Sequence, residues 1–258
     1  MNLKQTAVAL ALLIGLGLVF GFWASRTQPA EPAAQTLLPG ERTPEQNIKY
    51  SEAGEYYTIE ATYPEKVPLL TAQASAKARL AIEQKLLERI VEFKKNTNVE
   101  NLSAEEADFL GLGGDRKYAL ALEYVDFDSP GRHSYLYTMY EDTGGAHPNT
   151  YFLTFVFNTE GNTVALSDLF VPGTNWLEEL SLLVSNEVSA QYRARSGVDD
   201  LTDLLYAEGL SPKVQNFQNF VIDHDTLAIY IPPYQVAAYA AGAFEVRIPF
   251  TELQGLLK

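Results

Sequence analysis

Any chemistry performed by this chain would have to come from three histidines and an excess of carboxylates, because the 258 residues contain no cysteine. The absence of cysteine excludes disulfides, thiolate metal sites and a cysteine nucleophile. His133, His147 and His224 do not occur in the spacing of a metal-binding motif. No nucleophile-elbow, serine–lysine or phosphate-binding glycine motif is present either. The sequence therefore predicts no metal, no cofactor and no enzymatic activity.

His147 is the histidine whose surroundings favour a functional role. It lies in a glycine-containing connection, residues 142–149, between two aromatic segments. The paired Gly144 and Gly145 allow close approach of the backbone or a positive φ, and His147 and Asn149 beside them can hold a ligand. We predict a binding site made of Gly144, Gly145, His147 and Asn149. The alternative is a structural loop in which His147 and Asn149 satisfy local backbone groups.

The chain is also rich in tyrosine, with 15 such residues. Tyr135 and Tyr137 share one face of a predicted strand, and Tyr230, Tyr234 and Tyr239 lie close together near the C-terminus. Tyrosines of this kind serve carbohydrate stacking or protein interfaces, and packing in the core is the alternative.

Hydrophobic periodicity predicts an α+β fold. One helix is expected over residues 71–95, with Ala78, Ile82, Leu86, Ile90 and Phe93 on its buried stripe, and a second from Asn175. Residues 126–132 are predicted to be a turn, and residues 151–157, apolar on both faces, a central strand. Strands are predicted at 56–64, 118–124, 133–140, 151–157, 163–166, 217–222, 226–231 and 244–248. The order of elements predicts two consecutive α+β units with antiparallel sheets packed by helices.

The N-terminal segment predicts the location of the protein. An uncharged apolar stretch begins at Thr6 and ends at Ala24, long enough to cross a bilayer as a helix. We predict that residues 1–26 form a membrane anchor and residues 27–47 a proline-rich linker, with the bulk of the chain extracytoplasmic. A cleaved signal peptide is the alternative, although no pair of small residues occupies both positions required for cleavage, since Phe22 precedes Ala24 and Gln28 precedes Ala30.

The charge balance indicates which classes of partner the chain can bind. The chain has 33 acidic and 19 basic side chains, and residues 101–258 hold 22 acidic and 8 basic ones. Such a surface repels phosphate backbones, so nucleic acid is excluded as a partner. The same surface favours association with a basic protein, at a rate that falls with added salt.

Three segments in fixed order resemble a known bacterial extracytoplasmic domain. They are residues 140–149 (YEDTGGAHPN), 161–170 (GNTVALSDLF), and 234–242 (YQVAAYAAG) with 248–250 (IPF). This is the C-terminal domain of RsiV-type anti-sigma factors, found also beside the catalytic module of PdaC-type peptidoglycan deacetylases. The preceding residues, to about Tyr140, are similar to the smaller PdaC-type domain. The resemblance implies a PdaC-like domain over 48–140 and an RsiV-like domain over 141–258.

The resemblance implies a role in binding at the cell envelope. RsiV-type proteins bind lysozyme and relay this event to a sigma factor, but the predicted span leaves only the first few residues for a sigma-binding segment. We therefore expect a non-enzymatic module that recognises peptidoglycan or a cell-wall-active cationic protein such as lysozyme. The alternatives are a glycan-modifying enzyme using His147 with Asp142 or Asp168, an anti-sigma-like sensor, and a structural envelope component.

Overall fold

The computed structural model describes residues 47–199, 201 and 205–258. The predicted membrane span, and the predicted linker apart from Asn47, lie outside the described residues. So do positions 202–204 of a short helical piece that the sequence predicts over 201–206. Among the described helices none is long and apolar enough to cross a membrane.

A five-stranded N-terminal sheet has its strands in sequence order. It consists of β1 (Asn47–Ala53), β2 (Tyr57–Pro64), β3 (Tyr118–Ser129), β4 (Arg132–Asp142) and β5 (Asn149–Asn158). All neighbouring pairs are antiparallel except β2 and β3, which are parallel. Two helices, α1 (Ala72–Thr97) and α2 (Ala104–Phe109), connect that parallel pair, because parallel strands need a long crossover.

The helix α1 confirms the helix that the hydrophobic periodicity of the sequence predicts. The hydroxyl of Thr71 accepts a hydrogen bond from the backbone N–H of Ala74 and caps the first turn. The predicted stripe is buried against the N-terminal sheet, and Ala74 in the first turn is buried as well. The helix continues beyond the predicted end at residue 95 to Thr97, and the residue that caps it, Asn98, adopts a left-handed conformation with φ 53°.

A three-stranded antiparallel C-terminal sheet follows, in the order β6 (Phe220–Asp223), β7 (Thr226–Ile231) and β8 (Phe244–Pro249). The helix α3 (Trp176–Ser196) packs on it through Leu180, Val184 and Val188, which are fully buried. The mixed α+β architecture is therefore as predicted, with a core on each sheet.

The two sheets are joined along the outer edge of β6. The hydroxyl of Thr154 on β5 accepts from the N–H of Phe220 and donates to the carbonyl of Gln218. Ser134 on β4 makes the equivalent pair of bonds with Ile222. These side chains satisfy backbone groups that an edge strand would otherwise expose. The predicted domain boundary at 140–141 falls within β4, and the N-terminal sheet continues past it into β5.

Four local predictions need correction. Residues 126–129 belong to β3, and only Pro130 and Gly131 form the turn, because the alternating aspartates of this segment lie in a paired strand. The strand predicted as central, β5, is the edge of its sheet, and its second face is covered by β6. Residues 163–166 make one bridge, from Thr163 to Phe157, before a 3₁₀ turn over Leu166–Leu169. The segment predicted to be a strand from 217 begins pairing only at Phe220.

Candidate functional site

The predicted glycine pair lies in the connection between β4 and β5, and its two members differ. Gly144 has φ 76°, its N–H donates to Oδ1 of Asp142, and its carbonyl accepts from Arg116. A Cβ atom at Gly144 would lie 3.1 Å from the ring of Tyr118. A Cβ at Gly145 would meet only ordinary contacts, the nearest 3.7 Å away. The backbone therefore requires glycine at 144 and not at 145.

His147 extends from this connection onto two tyrosines of the C-terminal part. Its imidazole stacks on the ring of Tyr239, with centroids 3.5 Å apart and planes 11° apart. Its Nε2 lies 2.9 Å from the hydroxyl oxygen of Tyr234. We call His147, Tyr234 and Tyr239 the aromatic cluster.

The hydrogen bonds of the aromatic cluster fix the tautomer of His147. Nδ1 lies 3.0 Å from the carbonyl oxygen of Pro148, which can only accept, so Nδ1 carries the proton and donates. In the neutral ring Nε2 then accepts from the hydroxyl of Tyr234. The hydroxyl of Tyr239 donates to the same Pro148 carbonyl at 3.0 Å. Both ring nitrogens are thus engaged, and the imidazole is held in one orientation.

The segment that carries the tyrosines is strained and firmly anchored. Tyr234 has φ 70°, a conformation that costs a non-glycine residue energy and persists only when its surroundings impose it. The neighbouring Gln235 donates two hydrogen bonds from its amide, to the carbonyls of Gly209 and Asn216. The Tyr234 side chain nevertheless remains 53% exposed. The anchored loop therefore presents an aromatic ring to solvent.

Of the remaining predicted residues, Asn149 starts β5 opposite Glu141 and is half-buried. Within the described part of the chain its side chain makes no hydrogen bond to the aromatic cluster. The sequence indicated a tyrosine group near the C-terminus, but it held no signal that His147 would pack against it. Arg116 was also not predicted as a site residue. It lies in the loop before β3 and donates a hydrogen bond to the carbonyl of Gly144.

The carboxylates proposed as acid and base partners of His147 are used elsewhere. Asp142 accepts from the Gly144 N–H, and Asp168 accepts from the Ala165 N–H at the start of a 3₁₀ turn. No carboxylate of the described residues is within hydrogen-bond distance of His147. The buried His133 lies 3.1 Å from Asp126, and His224 sits in the turn between β6 and β7. No group of His, Asp and Glu in the described ranges has the arrangement needed to hold a metal ion.

Residues 167–251 match the model of a family described as "Protein of unknown function (DUF3298)". The match covers α3 and the C-terminal sheet. Over these residues the chain is similar to the DUF3298 family, and comparisons with individual proteins extend the similarity to other parts of the chain.

Two curated proteins are distant relatives. The peptidoglycan-N-acetylmuramic acid deacetylase PdaC of Bacillus subtilis is 30% identical over 124 residues, which are 48% of this chain and 26% of that protein. The esterase Rv3036c of Mycobacterium tuberculosis is 30% identical over 111 residues, 43% of this chain and 45% of that protein. The chain therefore spans less than half the length of either relative. The predicted similarity to PdaC is confirmed, whereas the pairing with an RsiV-like domain stays a prediction.

Two crystal structures of DUF3298 family members share the fold. One, from Bacteroides fragilis, has a TM-score of 0.57 at 18% identity and covers 82% of this chain and 92% of its own. The other, from Pseudomonas aeruginosa, has a TM-score of 0.53 at 15% identity and covers 82% and 94%. At these identities the likeness establishes the architecture and carries no information on ligand.

Proposed function

We propose that this chain is a non-enzymatic, extracytoplasmic module of the cell envelope that binds the glycan strands of peptidoglycan. The observation that carries the proposal is the aromatic cluster. It presents the ring of Tyr234 to solvent on a loop whose conformation is imposed by its neighbours. A relative whose name assigns it a peptidoglycan substrate supports the choice of ligand.

A pre-positioned aromatic ring suits recognition of a sugar. The apolar face of a pyranose ring can stack on an aromatic side chain, and little ordering entropy is lost when that side chain is already fixed. The stacking of His147 on Tyr239, and the hydrogen bond from Tyr234 to His147, supply that rigidity. The arrangement favours binding over catalysis, because both nitrogens of His147 are already engaged.

The location of the module is part of the proposal. The apolar segment from Thr6 to Ala24 is expected to anchor the chain in the membrane, with the folded part outside the cytoplasm, where peptidoglycan is found. N-terminal sequencing of the mature protein checks the anchor. A mature chain that begins between residues 25 and 48 would identify a cleaved signal peptide instead.

Co-sedimentation of the full chain with purified peptidoglycan sacculi tests the binding function. We expect Tyr234→Ala to weaken binding about two- to tenfold, the range that loss of one aromatic contact produces. Phe109→Ala is the matched control, because Phe109 is a highly exposed aromatic residue on α2, outside the aromatic cluster. Equal binding by the wild type and both variants, or no binding at all, would overturn the proposal.

The charge of the chain favours a second candidate, in which the partner is a basic, cell-wall-active protein such as lysozyme. The 22 acidic and 8 basic side chains of residues 101–258 create a field that would accelerate such an encounter. The association rate should then fall steeply with salt, because the screening length is about 8 Å at physiological ionic strength. A rate that does not depend on salt would exclude this candidate.

A further inference from the structure

We propose that a cleft beside the aromatic cluster binds a protonated amine of a de-N-acetylated glycan, with the carboxylate of Glu141 as its counter-ion. This inference rests on the proposed glycan-binding function and adds a chemical preference to it. It is carried by an unpaired, half-buried carboxylate in a polar cleft.

The cleft has a volume of about 360 Å³ and lies where the two sheets meet. The helix α1 contributes Arg89 and Asn96, the N-terminal sheet contributes Glu141 and Tyr151, and the segment before β6 contributes Gln218 and Asn219. Its size is at the lower end of the range for small-ligand sites, which suits one or two sugar rings. Gln235, which follows Tyr234 of the aromatic cluster, also lines it, so one glycan strand can contact both.

The carboxylate of Glu141 has no hydrogen bond or ion pair within the described part of the chain. Burial raises the pKa of Glu141, and the charge of Arg89 opposes that shift. Arg89 does not neutralise Glu141 by contact, because its Nη1 is paired with Glu92 at 2.6 Å. The Nε of Arg89 is buried without a partner in the described structure.

The surrounding polar groups are also free to bind. The side-chain amides of Asn96, Gln218 and Asn219 make no hydrogen bonds to other described residues, and neither does the hydroxyl of Tyr151. Asn96, Gln218 and Tyr151 are exposed and Asn219 is half-buried, so a ligand that enters the cleft can supply the partners of these groups. The hydroxyls of a sugar can do so, and the ring of Tyr151, 42% exposed, offers a stacking surface.

The charges of the cleft select the functional group that faces Glu141. Its ionisable groups are Arg89 and Glu92 on α1, Glu141 on β4 and Tyr151 on β5, and Arg89 and Glu92 already neutralise each other. The net charge is therefore that of Glu141. An anion would be repelled, a neutral acetamide would leave the carboxylate uncompensated, and an ammonium group would form a charge-assisted hydrogen bond with it.

Isothermal titration of the full chain with two matched probes tests this inference. The probes are the chitosan tetramer, which carries free amines, and the chitin tetramer, which carries acetamides on the same backbone, both near pH 6. We expect the chitosan tetramer to bind at least about tenfold more tightly, as a hydrogen bond to a charged group implies. Glu141→Gln should remove this preference, whereas Glu60→Gln, which alters an exposed carboxylate on β2, should retain it.

The pH dependence of binding adds a second measurement. Affinity for the chitosan tetramer should fall as the pH drops through the raised pKa of Glu141, because the protonated carboxyl no longer pairs with an ammonium group. Glu141→Gln should remove that dependence. A Glu141→Gln variant with unchanged thermal stability shows that the loss is not one of folding.

The outcomes separate this inference from the proposed function. Equal affinity for both tetramers, or a preference that survives Glu141→Gln, overturns the amine site while Tyr234-dependent binding to sacculi stands. If neither tetramer binds and the chain does not sediment with sacculi, both proposals are overturned. A tetralysine peptide that binds as tightly as the chitosan tetramer would show that the cleft recognises a cationic peptide rather than a glycan.

Discussion

The hydroxyl of Ser134 exchanges two hydrogen bonds with the backbone of Ile222, accepting from its N–H at 3.1 Å and donating to its carbonyl at 3.2 Å. Ser134 lies on β4 of the N-terminal sheet and is fully buried, and Ile222 lies on the edge strand of the C-terminal sheet. The side chain of Ser134 thus makes, for one residue of β6, the two backbone hydrogen bonds that a neighbouring strand would otherwise make. Because Ile222 is buried, water cannot take over this role.

Replacing this serine should destabilise the junction of the two sheets. Ser134→Ala leaves a buried N–H and a buried carbonyl without partners, and we expect a loss of about 1–3 kcal/mol in the free energy of unfolding. Ser51→Ala, on the exposed face of β1, is the control and should change stability by less than about 0.5 kcal/mol. Urea denaturation measures both, and equal stability of the two variants would contradict the role of Ser134.

The second prediction concerns Glu52 on β1, a strand that the sequence did not reveal. Its carboxylate accepts from Lys94 on α1 at 2.6 Å and from the phenols of Tyr50 and Tyr57. The hydrogen bond from Lys94, followed by those from the two phenols, lowers the pKa of Glu52 to about 2. We expect Glu52→Gln to cost about 1–3 kcal/mol at neutral pH.

The sign of the pH dependence follows from that lowered pKa. The folded state holds the Glu52 proton less tightly than the unfolded state, whose carboxyl has its ordinary pKa near 4.5. The stabilisation is therefore complete above that ordinary value and is lost as the pH falls toward 2. Melts of the wild type and Glu52→Gln should converge over this interval, whereas Glu60→Gln should follow the wild type. A constant difference down to pH 2 would refute the role of Glu52.

The two glycines of the predicted site provide a third prediction. Gly144→Ala places a Cβ at φ 76° and 3.1 Å from Tyr118, so we expect a loss of about 1–3 kcal/mol. Gly145→Ala meets no close atom and should change stability little. Thermal melts of the two variants check this, and similar midpoints would show that the loop tolerates a side chain at either position.

A fourth prediction links packing to binding through Gly209. A Cβ at this position would lie 2.0 Å from the backbone oxygen of Gln235, so the segment carrying Tyr234 must move in Gly209→Ala. We expect a loss of about 1–3 kcal/mol in stability, typical of overpacking, together with weaker sedimentation with sacculi. Ser51→Ala, on the exposed face of β1, serves as the control for both measurements. A destabilised Gly209→Ala chain that binds as well as the wild type would show that the position of the segment carrying Tyr234 does not determine binding.

Much of the local structure could be predicted from the sequence, because it depends on contacts between near neighbours. The cap of Thr71 and the buried stripe of α1 are encoded in spacings of three and four residues. Alternation of side chains likewise revealed most strands of both sheets. The strand β1 was missed because its seven residues, NIKYSEA, form a half-exposed edge with little apolar alternation.

The candidate site could be predicted only in part, for the same physical reason. The sequence by itself determined that a glycine-bearing loop would present His147 between two strands, and that no cysteine chemistry was available. Only the tertiary structure decided that His147 packs on Tyr239, that Ser134 completes the edge of β6, and that Glu141 faces a cleft. Each of these depends on packing between segments far apart in the chain. Such contacts leave no periodic signal in a single sequence, because many alternative partners share the same residue types.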